Sequence, residues 1–169
     1  MSRNLCLFVC MCREVTEKYA SEVMNLSEVL LKAMSSTLGL DEDYLHMAFG
    51  GSKGISASMR VNYYPKCPEP ELTLGLSSHS DPGGITLLLV DENVKGTQVR
   101  KGNTWVTVQP IPGAFVVNVG DQIQVINPIL YPCYYLYIFI HILEGKLLFL
   151  REVVALLSLH QVYIYSGSM

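Results

Sequence analysis

Apolar positions recur at two different periods along this 169-residue chain, and the change of period divides it. From Glu14 onward Val15, Tyr19, Val23, Leu26, Leu30, Met34 and Leu38 return every three or four residues, with Glu17, Lys18, Glu28 and Lys32 mostly between them. That spacing predicts one amphipathic helix, stopped at Gly39. Asp41 then caps a second, short helix through "EDYLHMAF", which ends at Gly50-Gly51. "GGSKGIS" reads as a flexible joint.

Beyond the joint the period drops to two. Met59, Val61 and Tyr63 alternate with Arg60, Asn62 and Tyr64, which predicts a strand. The three prolines of "PKCPEPE" break it. "GITLLLV" reads as a second strand, "TQVRKGNTWVTVQP" as two strands about a Lys101-Gly102-Asn103 turn, and "PGAFVVNVGDQIQV" as another. Trp105 falls on a half-buried strand as a packing residue. "EGKLLFLREVVALLSLHQV", near the end, has a helical period. Short strands at near-regular spacing after helices predict a mainly β fold with N-terminal helices, an α+β sandwich or barrel with the helices outside it.

Composition narrows the class. A chain of this size forms one domain by default and buries roughly 70% of its unfolded surface. Twelve basic against 15 acidic residues offer no basic field, so nucleic acid is not an expected partner. The five cysteines, Cys6, Cys10, Cys12, Cys67 and Cys133, are odd in number and hold no CxxC pair. They read as reduced thiols of a cytoplasmic protein. "MSRNLCLFVCMC" imitates a short signal peptide but is followed by no small-residue cleavage site. Between Asp121 and Glu144 there is no formal charge, and "INPILYPCYYLYIFIHIL" is long enough to raise a membrane span. Asn127, Pro128, Pro132 and His141 weaken a helix there, so a membrane is disfavoured; the oligomeric state is not legible.

The candidate chemistry sits in "LGLSSHSDPGG". In a strand, residues two apart share a side, so His79 and Asp81 can put an imidazole nitrogen and a carboxylate oxygen on one metal ion. By itself such a pair more often marks a turn with a helper carboxylate. Pro82-Gly83-Gly84 lets the main chain turn tightly beside the pair. Arg60, Asn62 and Tyr64 share one strand face, which is either a polar wall of the same cavity or a solvated sheet surface.

The stretch from "MRVNYYPKC" through "SSHSDPGG" to "NVGDQIQV" closely resembles the core of plant 2-oxoglutarate and iron(II) dependent dioxygenases. It lies nearest the jasmonate-induced oxygenase and leucoanthocyanidin-dioxygenase-like group. The resemblance runs from Cys12 to about Val125 and implies a double-stranded β-helix, the jelly roll. It also implies Fe(II), 2-oxoglutarate as cosubstrate, dioxygen, and a small-molecule substrate. His79 and Asp81 match two of three iron ligands, and Tyr64 and Asn62 match the 2-oxoglutarate side. Such a facial triad leaves open positions for the keto acid and dioxygen. Arg60, on the face of Asn62 and Tyr64, would suit an acidic substrate of jasmonate or flavonoid type, or is a surface arginine.

After "VGDQIQV" the sequence departs from that family. A distal histidine and an Arg-x-Ser pair are expected there, and neither stands in place. His141 is a weak candidate for the third ligand and His160 a weaker one. The expected organisation is a leader outside the family pattern at 1–11, a helical segment at 12–55, a partial jelly roll at 56–125 and a hydrophobic tail at 126–169. The break at a valine, whose codons begin as intron donor sites do, suggests translated intron and a truncated, incomplete jelly roll with bare sheet edges. The expectation is an impaired dioxygenase; the alternatives are a non-catalytic fragment and a membrane-associated protein.

Overall fold

A computed structural model describes residues 3–54, 56–126, 134–143, 146–157 and 162–164. The chain divides into two units, Met1–Val61 and Asn62–Met169.

The first unit is built on α1 (Arg3–Thr37) and α2 (Tyr44–Ala48). Leu26, Leu30, Leu31, Met34 and Ser35 are buried, a stripe at the spacing of one helix face. α1 begins earlier than the sequence pattern suggests, because "NLCLFVCMC" simply continues the helix. It ends in a left-handed cap at Gly39, φ +71°, where the Leu40 amide donates to the Ser35 carbonyl at 3.0 Å. Ser35 then joins the two helices. Its hydroxyl donates to the Leu31 carbonyl at 2.9 Å and accepts from the amide of fully buried Leu45 at 3.1 Å. Lys32 makes a second bridge, 3.0 Å from Glu28 and 3.4 Å from Asp43. Hydrogen bonding to Lys32 lowers the Glu28 carboxyl, and the same bond raises the Lys32 ammonium. The expected Asp41 cap does not form: Asp43 occupies the N-cap position without a side-chain cap bond, and the Asp41 carboxylate instead accepts from the Asp43 amide at 3.0 Å in the turn before the helix.

The second unit is two four-stranded sheets. The strands are β1 (Leu76–His79), β2 (Ile85–Leu89), β3 (Thr97–Lys101), β4 (Thr104–Thr107), β5 (Ala114–Val119), β6 (Tyr134–Leu143), β7 (Lys146–Leu157) and β8 (Val162–Ile164), with α3 (Asp121–Ile126) between β5 and β6. One sheet runs β1-β8-β3-β4 and the other β2-β5-β6-β7, with every pairing antiparallel. Val99 of β3 and Val116 of β5 form a core cluster with Leu88, Val90, Val108 and Ile111, so the two sheets pack face to face. All six residues of β5 are buried. The β3–β4 hairpin turns through Gly102-Asn103 as expected, with Gly102 at φ +57° and Lys101 opposite Thr104.

Four expectations change. No strand forms at Met59–Tyr64: among the described residues nothing bonds to that backbone, and Val61 and Tyr63 are 84% and 86% exposed. Alternation becomes a strand only where a ladder partner exists. "DQIQV" is helical, because Gly120 ends β5 and Ile123 turns into the core at 0% exposure. "KLLFLREVVALL" is strand β7, because antiparallel pairing with β6 overrides its helical period. The tail covers edges that the sequence leaves bare, with β6 pairing β5 and β8 lying between β1 and β3. The candidate membrane segment includes β6, and among the described residues no helix is long and apolar enough to cross a membrane.

Candidate metal centre

β1 pairs with β8 through an irregular register between Leu76 and His79, and His79 closes the strand. Its Nδ1 lies 2.9 Å from the carbonyl oxygen of Ser77. That contact places the ring proton on Nδ1 and leaves the Nε2 lone pair free to bind. Nε2 stands 3.6 Å from Asp81 Oδ1, beyond hydrogen-bond length and within what two ligands of one ion keep. The His79 side chain is 39% exposed and that of Asp81 18%, so the pair opens to one side.

Asp81 is held from behind. Its Oδ2 accepts from Asn118 Nδ2 at 3.3 Å, and its main-chain carbonyl accepts from the Asp121 amide at 2.8 Å. The Ser80 hydroxyl donates to Asp121 Oδ2 at 2.9 Å. The Gly120 amide donates to the Gly84 carbonyl at 2.7 Å, and the Gln122 amide to the Gly83 carbonyl at 3.2 Å. The Ser80–Gly84 turn is thus clamped to the β5–α3 junction. The approach is so close that a Cβ on Gly120 would collide with the Gly83 carbonyl.

The pair supplies one oriented imidazole nitrogen and one carboxylate oxygen, donors of the kind a divalent transition ion takes but one short of the three protein ligands such a site uses. The Asn118 side chain is 5% exposed, and its Oδ1 has no hydrogen-bond partner among the described residues, a buried polar atom beside the pair. Among those residues no group of three or more His, Cys, Asp or Glu could hold a metal. β6 sets His141 opposite Ala114. Ala114 is four residues along β5 from Asn118, about 13 Å at the rise of a strand, so His141 stands well away from the pair. His160 lies outside the described residues.

Residues 55–135 match the family model of the 2OG-Fe(II) oxygenase superfamily. Over that stretch the chain is similar to 2OG-Fe(II) oxygenases. It is 56% identical over 115 residues to jasmonate-induced oxygenase 4 of Arabidopsis thaliana, covering 68% of this chain and 33% of that protein. It is 44% identical over 115 residues to flavanone 3-dioxygenase 2 of Oryza sativa subsp. japonica, again covering 68% of this chain and 33% of the relative. The chain spans about a third of the length of these curated relatives. The crystal structure of JOX2 in complex with 2OG, Fe, and JA is similar at a TM-score of 0.65 and 41% identity, over 92% of this chain and 39% of that one.

Within the matched segment the structure brings His79 and Asp81 together. Asn62 is exposed and Tyr64 half-buried, in irregular backbone. Arg60 is exposed and belongs to the first unit. With no strand at 59–64, the alternation that grouped Arg60 with Asn62 and Tyr64 no longer holds. Sequence reasoning missed Asn118, Ser80 and Asp121. The signal for Asn118 was available: a lone amide in the apolar run "AFVVNV".

Proposed function

We propose that this chain carries the two-ligand half of an Fe(II)- and 2-oxoglutarate-dependent dioxygenase site, for a small acidic substrate of jasmonate or flavonoid type. The observation that carries the reading is the His79–Asp81 pair, each member held by its own partner and both presenting a free donor atom. His79 and Asp81 hold the metal. Tyr64 and Asn62, by their match to the family, receive the carboxylate of 2-oxoglutarate. Iron bound there supplies dioxygen activation coupled to decarboxylation of the keto acid. The chain's own residues orient: the Ser77 carbonyl fixes the imidazole tautomer, and the Asp121 amide fixes the backbone of Asp81.

The same reading makes the site impaired. Two protein ligands hold iron more weakly than three, and no arginine in the sequence is followed two residues later by serine to take the distal carboxylate. Free thiols suit the cytosol. The test is anaerobic titration of Fe(II) with 2-oxoglutarate present, watching the visible charge-transfer band of the chelated keto acid, with His79→Ala as control. A band lost in the control supports the site. No band from folded protein returns the chain to a non-catalytic fragment.

A further inference from the structure

Among the described residues β7 is the outermost strand of its sheet, paired with β6 on one side only. It is twelve residues long, and all of them but Lys146, Arg151 and Glu152 are apolar. Such a strand presents a row of main-chain donors and acceptors along its outer edge, a template for another strand. Proteins ordinarily keep such edges short or charged. Here, apart from Lys146 at the start, the charges are confined to the two middle residues.

The order of those two residues makes the strand complementary to itself. Antiparallel pairing of β7 with a second β7 over the full length sets Lys146 of one copy opposite Leu157 of the other, Leu150 opposite Val153, and Arg151 opposite Glu152. The two-fold axis passes between Arg151 and Glu152, so the opposite-charge pair occurs twice. Sliding the second strand by one residue sets Arg151 opposite Arg151 or Glu152 opposite Glu152, and sliding it by two leaves both charges opposite apolar residues. Opposite charges across an antiparallel ladder stabilise it and like charges destabilise it. The register that pairs the most residues is thus the one that matches charge.

The ladder with β6 places the same residues at an irregularity. Leu150 pairs with Phe139 and Val154 with Tyr137, so Arg151, Glu152 and Val153 stand against Ile138 alone. The slip is by two residues, which keeps the alternation of the two flanking halves in phase. A charged bulge is also a device that keeps an edge unpaired, and the test has to separate the two roles.

We propose that the outer edge of β7 pairs with β7 of a second copy of this chain, in a two-fold dimer whose β2-β5-β6-β7 sheets join into one. The proposal does not draw on the metal reading of His79 and Asp81.

The test is sedimentation equilibrium over a concentration series for the full chain, Arg151→Glu, Glu152→Arg and an equimolar mixture of the two variants, with circular dichroism as the check on folding. The unsubstituted chain is expected to dimerise. Each single variant sets like charges opposite each other at both crossings, and its self-association is expected to weaken about tenfold or more. Mixing the two variants brings opposite charges together again at both crossings, and a heterodimer should form. An unsubstituted chain that stays monomeric throughout overturns the proposal and leaves the bulge as a guard on the edge. A dimer that neither variant weakens, or that mixing does not restore, is made through another surface and overturns it too. If a single variant does not fold, amide hydrogen exchange of the unsubstituted chain decides. Protection of the Lys146–Leu157 amides that rises with protein concentration, while that of Ile85–Leu89 does not, supports the pairing, and protection independent of concentration overturns it.

Discussion

Asp121 grips the turn ahead of it at two points: its amide donates to the Asp81 carbonyl at 2.8 Å, and its carboxylate accepts from the Ser80 hydroxyl at 2.9 Å. Removing either side chain of the Ser80–Asp121 bond leaves the other unpaired at a part-buried site. Ser80→Ala and Asp121→Ala are each expected to cost about 1–2 kcal/mol, with a coupling of about 1 kcal/mol in the double-mutant cycle. Urea unfolding of the four proteins checks this; strictly additive costs would remove the bond from the account.

Gly120→Ala is expected to cost more. The added methyl meets the Gly83 and Asp81 carbonyls, both main-chain atoms tied into the clamp. Overpacking of this kind costs about 1–3 kcal/mol, and relief requires lifting the turn that carries Asp81. A drop in the denaturation midpoint together with weaker Fe(II) binding is the expected result, and an unchanged midpoint counts against the close approach.

Ser35→Ala tests the first unit by itself. The substitution leaves the buried Leu45 amide without its acceptor, a loss of about 1–3 kcal/mol for an unsatisfied buried donor. Amide hydrogen exchange in Tyr44–Ala48 should quicken by at least tenfold, while exchange in the β5 amides stays as it was.

The Glu28–Lys32 pair predicts a pH window. Glu28, lowered from 4.5, adds stability that is present above that value and lost as pH falls through its lower folded value. Lys32, raised from 10.5, adds stability that is full below that value and lost as pH rises through its higher folded value. Both groups are half-buried at the surface and reach solvent, so the effect is small and screened by salt. Thermal midpoints of Lys32→Met measured against pH should show a flatter profile than the unsubstituted chain at both ends, and a parallel profile would dismiss the pair.

The sequence made much of this legible where the determining contacts are local. The helix stripe from Leu26 to Met34, the Gly39 stop, the Gly102-Asn103 hairpin and the two-residue spacing of His79 and Asp81 all follow from short-range geometry. It misled where distant pairing decides. Met59–Tyr64 has the alternation of a strand but no partner among the described residues, and Lys146–Leu157 has a helical period but pairs with β6. Asn118 and Asp121 escaped notice for the same reason, since each acts on a residue some 40 positions earlier in the chain.

The place of β8 in the sheet has a consequence for synthesis. Among the described residues β1 gains its strand neighbour only from Val162–Ile164, whereas the clamp on Asp81 needs the chain as far as Gln122. On the ribosome the two ligands therefore mature at different times: Asp81 can settle on its brace while the strand carrying His79 waits for more than 80 further residues.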